Sequence, residues 1–221
     1  MQQLKIILAS SSPRRRELIA WMNIPYEVIS ANIDESLQIG ELPINHVRRL
    51  AREKAEKIFH NTRSTSLILA ADTIVIKDDC ILGKPRDRIH ATEMLQDLKG
   101  KIHQVVTAIC IIQPDGKMMQ DLCISNVQMR EYSDQEILNY VTSGDPMDKA
   151  GAYAIQNGSF NPVTEFYGCF ASVMGFPFCH IERNLRKIDG YNCVPTADVC
   201  QNNLCYSCSI FSRVLDGEDI G

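Results

Sequence analysis

Residues 10–16, which follow the first apolar run, read Ser-Ser-Ser-Pro-Arg-Arg-Arg. Ser12 as N-cap and Pro13 at the first helical position predict that a helix begins here. The free N–H groups and the positive end of such a helix suit an anion, and Ser10, Ser12 and Arg14 add donors that match phosphate. Plain capping beside a solvated basic face is the alternative, and this segment alone does not decide between the two.

Charged residues also interrupt apolar patterns elsewhere. Asp72 lies within the apolar run 67–76, where a carboxylate must be paired, bind a metal, or face a cleft at the end of a strand. Lys54 falls on the apolar stripe of a helix predicted over residues 43–59, so it either snorkels to the surface or points into an internal cleft. Lys84, in a Gly-Lys-Pro turn, is either a further cation of the same site or a surface lysine.

These groups together suit the hydrolysis of a phosphoanhydride. Cations neutralise the phosphates, while carboxylates such as Glu35 and Asp72 hold a hard divalent ion, Mg²⁺ or Mn²⁺, or orient the attacking water. The sequence contains neither a Walker A motif nor G-x-G-x-x-G, which excludes the two common glycine-rich phosphate loops.

Alternating strands and helices would position these residues, and one hairpin around Pro114-Asp115-Gly116 makes the predicted sheet mixed. The predicted strands cover residues 4–9, 26–30, 67–76, 80–82, 102–112 and 117–129, and the predicted helices 12–22, 43–59, 87–98, 134–142 and 181–188. We therefore expect an α/β fold.

Eight motifs in a fixed order between Leu4 and Leu185 resemble the Maf (septum-formation inhibitor) family of nucleoside triphosphate pyrophosphatases. They are LASSSPRRRELI (8–19), IDE (33–35), LAREKA (50–55), AADTIV (70–75), ILGKPRD (81–87), HQVVTA (103–108), SGDPMDKAGAYAIQ (143–156) and VMGFP (173–177). The resemblance implies a mixed twisted sheet with flanking helices, in two lobes around a central cleft, similar to the inosine-triphosphate pyrophosphatases. It also implies cleavage between the α and β phosphates with a divalent metal.

Site roles follow from the same resemblance. Asp72 is expected to be the proton acceptor and to share the metal with Glu35. The expected triphosphate ligands are Ser10, Ser12, Arg14, Lys54 and Lys84. Lys149 either contacts phosphate or only pairs with Asp148, and His103 and Thr107 are as much structural candidates as functional ones.

Three positions bear on the base. Arg14, Thr73 and Gln156 match the family's dTTP/UTP branch. Thr73 and Gln156 are therefore expected to read a uracil or thymine edge. The amide of Gln156 offers one donor group and one acceptor group for such an edge. Ala154 and Asn157 depart from the branch's A-Y-G-I-Q-G pattern, which leaves a purine nucleotide as an alternative substrate. A division-linked regulatory or binding module that acts independently of hydrolysis is the other alternative.

The composition of the 221 residues is that of a globular protein, with 45% hydrophobic residues, 23% charged residues and a net charge of −4. Because basic and acidic residues balance over 1–188, nothing marks a general nucleic-acid binder. The apolar runs are far shorter than the roughly 20 residues of a membrane span, and the opening residues lack a signal-peptide core, so the expected compartment is the cytoplasm. A homodimer is suggested by the family only.

The sequence predicts two parts in the chain, because helix and strand periodicity falls away from Asp189 onward. Residues 1–188 form the predicted pyrophosphatase domain, and residues 189–221 a tail with little helix or strand periodicity. The tail contains four cysteines, Cys193, Cys200, Cys205 and Cys208. Four thiolates are the number that a tetrahedral zinc ion or an iron–sulfur cluster needs, so a metal site is one interpretation of the tail. A mobile tail with free thiols is the alternative. The other five, expected in the core, are Cys80, Cys110, Cys123, Cys169 and Cys179.

Overall fold

The structure, a computed structural model, describes residues 5–62, 65–190 and 195–221. The strands are β1 (Ile6–Ala9), β2 (Tyr26–Ile29), β3 (Leu67–Lys77), β4 (Cys80–Leu82), β5 (Ile102–Ile112), β6 (Met118–Met129) and β7 (Val163–Tyr167). The helices are α1 (Pro13–Trp21), α2 (Pro43–Thr62), α3 (Arg88–Leu98), α4 (Asp134–Thr142), α5 (Phe170–Val173), α6 (Phe178–Leu185), α7 (Thr196–Leu204) and α8 (Phe211–Leu215). Two short 3₁₀ turns follow α4, at Asp145–Asp148 and Ala150–Ala152.

The strands form one mixed sheet in the order β2-β1-β3-β5-β6-β7, with β4 paired to β3. β1 runs parallel to β2 and β3, because α1 and α2 carry the chain back across the sheet. From β3 to β7 the pairs are antiparallel, and a tight turn with Gly116 at φ +87° joins β5 to β6. The predicted α/β class, with its mixed sheet and hairpin, is confirmed.

Both faces of the sheet are covered, which explains why its strands are nearly continuous apolar runs. Alternate residues of β3 point to opposite faces. Leu67 and Leu69 lie in the core that α1 and α6 share, whereas Ile68 and Ala70 lie in the core under α2. A third core packs α3 and α4 against the far half of the sheet.

An opening along one edge of β3 creates the cleft. β1 pairs with β3 only as far as Leu69, and β4 pairs with it only from Val75. Residues 70–74 therefore have β5 as their strand neighbour on one side and no strand on the other, within the part of the chain that the structure describes. Both faces of β3 become accessible from this gap.

Several elements differ from those predicted. β7 and α5 were not predicted, and the tail contains the helices α7 and α8. The side chains of Ala197, Ile210 and Val214 are buried in the core that α1 and α6 share. The domain division at residue 188 stays a prediction, but residues 195–221 are not an irregular appendage.

The predicted core cysteines are buried with one exception. Cys110, Cys123, Cys169 and Cys179 are buried, but Cys80 is exposed because β4 is a three-residue edge strand that pairs only with β3. The prediction for Cys80 was wrong. Among the described residues, no helix is long and apolar enough to cross a membrane.

Candidate active site

A cleft of about 660 Å³ opens at the gap beside β3. All ten site residues predicted from the sequence line it: Ser10, Ser12, Arg14, Glu35, Lys54, Asp72, Thr73, Lys84, Lys149 and Gln156. These residues come from segments spread over most of the chain, so the fold brings the predicted set together. Their chemical roles stay predictions.

The floor of the cleft carries a nearly buried ion pair with a third member at the mouth. Asp72 points to the same face of β3 as Ile68 and Ala70, because alternate residues of a strand share a face. It therefore faces α2, which carries Lys54. Lys54 Nζ is 2.6 Å from Asp72 Oδ1 and 2.6 Å from Glu35 Oε1. Lys54 and Asp72 are 7% and 8% exposed, so this lysine points into the cleft instead of snorkelling outward.

Glu35 lies among several cations. Burial acts to raise its pKa, but the hydrogen bond and charge of Lys54, followed by the charges of Lys84 and Arg15, hold the pKa of Glu35 below its ordinary value. Glu35 therefore remains an anion at neutral pH, although Lys54 also pairs with Asp72. The positive charges that an incoming triphosphate would need already surround this carboxylate.

The start of α1 forms a wall of the cleft. Ser12 caps the helix, because its Oγ accepts from the N–H of Arg15 at 3.4 Å, and Ser10 Oγ accepts from the N–H of Ser12 at 3.1 Å. Each hydroxyl keeps its own hydrogen for donation to an anion. Arg14 lies at the rim of the cleft, where its guanidinium contacts the exposed Glu17 at 3.1 Å.

Arg15 is a site residue that the sequence analysis did not single out from its neighbours. Its Nε donates to the carbonyl of Gly175 at 2.8 Å, and one terminal nitrogen donates to Thr73 Oγ1 at 3.0 Å. Burial lowers the pKa of Arg15, while the charges of Asp72 and Glu35 raise it. The spacing to Leu18 and Ile19, both buried, was the available signal, because residues three and four apart share a helix face.

Thr73 takes part in an ordered hydrogen-bond chain on the face of β3 opposite Asp72. Thr107, its neighbour on β5, donates its single hydrogen to the carbonyl of Ser172 at 2.8 Å. The 2.8 Å contact between the two threonines must then use the hydrogen of Thr73, which accepts in turn from Arg15. The Thr73 hydroxyl therefore contacts Arg15 and Thr107, and its expected role in reading the base stays a prediction.

Tyr153 and Gln156 also line the cleft. The Gln156 amide makes no hydrogen bond within the described residues and is half-buried, so both its donor and its acceptor are available. His103 Nε2 lies 2.7 Å from the Tyr153 hydroxyl and supports this ring from behind. Desolvation lowers the pKa of His103 to about 4, so the imidazole is neutral.

The two remaining lysines differ in their partners. Lys149 Nζ lies 2.7 Å from Asp148 Oδ1 and 3.1 Å from Asp145 Oδ1, so it pairs with Asp148 while also lining the cleft. Lys84 is exposed at the mouth and has no ion-pair partner among the described residues. Of these two lysines, Lys84 therefore has fewer ion pairs within the described residues and is the more available to bind an anion.

The tail cysteines do not form a metal centre in the described part of the chain. Cys193 lies outside the described residues. In the ranges 5–62, 65–190 and 195–221, no three histidine, cysteine or acidic side chains are arranged to hold a metal ion. Cys200 and Cys208 instead line a small apolar cavity against α6, where burial raises the pKa of the Cys200 thiol to about 12.

A family model described as Maf-like protein matches residues 5–188. The chain belongs to the Maf family. Among its Maf relatives, the dTTP/UTP pyrophosphatase of Aquifex aeolicus is 40% identical over 186 residues, which is 84% of this chain and 96% of the relative. The dTTP/UTP pyrophosphatase of Geotalea uraniireducens is 42% identical over 192 residues, covering 85% and 98%.

Solved structures resemble this Maf chain only weakly. The Staphylococcus aureus Ham1 protein is 16% identical, with a TM-score of 0.41 over 57% of this chain and 71% of that chain. A dITP/XTP pyrophosphatase from Mycobacterium abscessus is 17% identical, with a TM-score of 0.39 over 57% and 74%. Similarity at this level carries no argument about the site.

Proposed function

We propose that this protein hydrolyses dTTP and UTP to the monophosphate and pyrophosphate. The observation that carries the proposal is the nearly buried Lys54–Asp72 pair, with Glu35 as its third member, at the floor of a cleft walled by a helix N-terminus and arginines. Relatives about 40% identical over almost their whole length bear the name of this activity, which supports it independently.

The two carboxylates fit a divalent metal of the Mg²⁺ type. Mg²⁺ is commonly bound by one or two carboxylates, and substrate phosphates and water complete its coordination. One oxygen each of Asp72 and Glu35 already holds the ammonium of Lys54, so this pair favours a cation. Their second oxygens make no hydrogen bond to the described residues and remain available as ligands. When bound there, Mg²⁺ or Mn²⁺ would neutralise the triphosphate and activate a water.

The chain's own residues supply binding, orientation and proton transfer. Arg14, Arg15 and Lys84 neutralise the triphosphate together with the N–H groups of α1, because the transition state spreads negative charge over the phosphate oxygens. Asp72 orients a water opposite the leaving pyrophosphate and accepts its proton as the new bond to the α phosphorus forms. Lys54 holds the Asp72 carboxylate in place while the α–β bond breaks.

Base preference is assigned to the segment that carries Gln156. The free amide there pairs with the imide edge of uracil or thymine, which offers both a donor and acceptors. The departure at Asn157 leaves Gln156 lining the cleft, because Asn157 turns away, donates to Asp145 at 3.1 Å and accepts from the Phe160 N–H at 2.8 Å. A cytoplasmic location and a homodimer stay predictions.

The test is a panel of dTTP, UTP, CTP, dGTP and ATP with Mg²⁺ or Mn²⁺, scored by pyrophosphate release. We expect turnover of dTTP and UTP above the other nucleotides, and loss of turnover in Asp72→Asn. Asp189→Asn is the matched control, because Asp189 is exposed and does not line the cleft. A folded wild-type protein that releases no pyrophosphate from any nucleotide contradicts the proposal, and preferential turnover of purines contradicts the base assignment.

A further inference from the structure

The segment that joins β2 to α2, residues 30–42, carries Glu35 and is called here the Glu35 loop. It contains no helix or strand. Its apolar side chains Leu37, Ile39 and Leu42 are exposed, so packing against the core does not hold its outer half. Some other interaction must fix the position of Glu35 over the cleft.

A guanidinium from α2 provides that interaction. Arg49 Nε lies 2.6 Å from Glu41 Oε1, and one terminal nitrogen lies 2.8 Å from Glu41 Oε2. Both side chains are nearly buried, at 11% and 8% exposed. A two-bond arginine–carboxylate pair has a fixed geometry that a single contact lacks. The pair therefore fixes the end of the loop against α2.

The same arginine also reaches the backbone next to Glu35. The nitrogen that contacts Glu41 donates to the carbonyl of Ser36 at 3.0 Å. The Ser36 N–H in turn donates to Asp34 Oδ1 at 2.9 Å, which closes a tight turn around Glu35. Glu35 itself is held on its other side by Lys54. Two cations of α2 thus hold the loop, one at its backbone and one at its carboxylate.

We infer that Arg49 is a positioning residue that fixes Glu35 as a metal ligand at the mouth of the cleft. Neither Arg49 nor Glu41 lines the cleft, so they can act on it through the Glu35 loop or through His46, which contacts both side chains and lines the cleft. A comparison in the Glu35→Gln background separates these two routes. The inference rests on the proposed function, in which Glu35 and Asp72 bind the divalent ion. Hydrogen-bonded partners behind a metal ligand typically change metal affinity by about 10- to 100-fold when they are removed.

The experiment measures metal binding without turnover. Mn²⁺ is titrated into the full chain saturated with α,β-methylene-dUTP, and free Mn²⁺ is followed by its electron paramagnetic resonance signal. Arg49→Lys keeps the charge but cannot make both bonds to Glu41 and the bond to Ser36, so we expect the Mn²⁺ dissociation constant to rise about tenfold. Arg52→Lys is the matched control, because Arg52 lies on the same helix and, among the described residues, its one ion pair is an exposed 3.8 Å contact with Glu56.

A double-mutant cycle separates positioning from general destabilisation. If Arg49 acts through Glu35, Arg49→Lys changes Mn²⁺ affinity in the wild type and has no further effect in Glu35→Gln. An equal loss in both backgrounds, or no change in the wild type, overturns the inference. Glu41→Gln weakens the same pair from its other side and serves if Arg49→Lys does not fold. A wild-type complex that binds no Mn²⁺ overturns the proposed metal site as well, whereas normal Mn²⁺ binding without hydrolysis contradicts only the proposed function.

Discussion

Lys54 on α2 donates to Asp72 on β3 over 2.6 Å and donates equally to Glu35 on the loop before α2. Three separate segments are therefore joined at one ammonium group. Because Asp72 and Lys54 are nearly buried, neither can lose its partner without leaving a poorly solvated charge. The same bond that positions the proposed catalytic carboxylate also stabilises the fold.

Replacement of this lysine should destabilise the protein. Lys54→Met removes the ammonium that pairs with both Asp72 and Glu35, and we expect a loss of about 3 kcal/mol in the free energy of unfolding. Asp72→Asn should cost less, since Lys54 remains paired with Glu35. Urea unfolding of both variants checks this order, with Lys117→Met in the exposed hairpin turn as control. Equal losses in the two variants would show that the pair is not coupled as described.

The Thr73–Thr107 chain predicts how nucleotide discrimination responds to mutation. If Thr73 orients Arg15, then Thr73→Val and Thr107→Val should each lower kcat/KM about tenfold for every nucleotide, the cost of roughly one hydrogen bond. The check is kcat/KM for dTTP, UTP, CTP and dGTP in both variants. A change in the ratio between bases would instead assign Thr73 to base recognition. Thr92→Val, at an exposed turn of α3, is the control.

Two buried histidines should make stability depend on pH. Desolvation lowers the pKa of His103 and of His180 to about 4, and for His180 the charge of Asp121 opposes this shift while that of Arg183 adds to it. In the unfolded chain both groups bind protons near the ordinary value of 6.5. The unfolded state therefore holds more protons between these values, and stability falls as the pH is lowered from 6.5 to 4.

Each of these histidines contributes a slope of up to about 1.4 kcal/mol per pH unit in that window. His103→Gln and His180→Gln should each reduce the slope, as measured by urea unfolding at a series of pH values. His60→Gln, which removes an exposed imidazole on α2, is the comparison. An unchanged slope in both buried-site variants would mean that other groups control the acid response.

The attachment of the tail should depend on one carboxylate of the body. Glu182 Oε2 on α6 accepts from the backbone N–H of Thr196 at 2.6 Å and from its hydroxyl at 2.7 Å, at the first turn of α7. Glu182→Ala removes this cap, and we expect a loss of about 2 kcal/mol and faster hydrogen exchange in α7. Arg186→Ala is the control, because it removes the exposed partner of Glu182 but leaves the cap. Normal exchange in α7 would contradict the assignment.

The sequence was sufficient to predict the elements that carry strong periodicity or clear caps. α1 begins at Pro13 after the Ser12 cap, and β5 and β6 form the predicted hairpin, because local chemistry determines both. The helices of the tail could not be predicted in the same way. The start of α7 is capped by Glu182 from another helix, and no property of residues 196–204 contains that information.

The residues of the site also divide into those that the local sequence pattern identifies and those that depend on contacts in the folded chain. Asp72 and Lys54 each violate an apolar pattern, so the sequence singles them out, and the structure brings them into contact. Thr73 interrupts the same apolar run as Asp72 and was predicted as a site residue, whereas Arg15 was not distinguished from the neighbouring arginines. Their roles depend on which face of α1 and β3 they occupy and on a carbonyl at Gly175, which only the folded chain defines. Thr107, left open by the sequence, gains a structural role from the same chain of bonds.

The two anchors of Arg15 limit how far this protein can be shortened. Gly175, whose carbonyl holds its guanidinium, lies 160 residues further along the chain. A minimal version built from the first half of the polypeptide would keep Lys54, Asp72 and the Thr73 contact of that arginine, yet lose its contact with Gly175. Engineering of a smaller enzyme must therefore preserve the segment around Gly175 as strictly as the acidic centre itself.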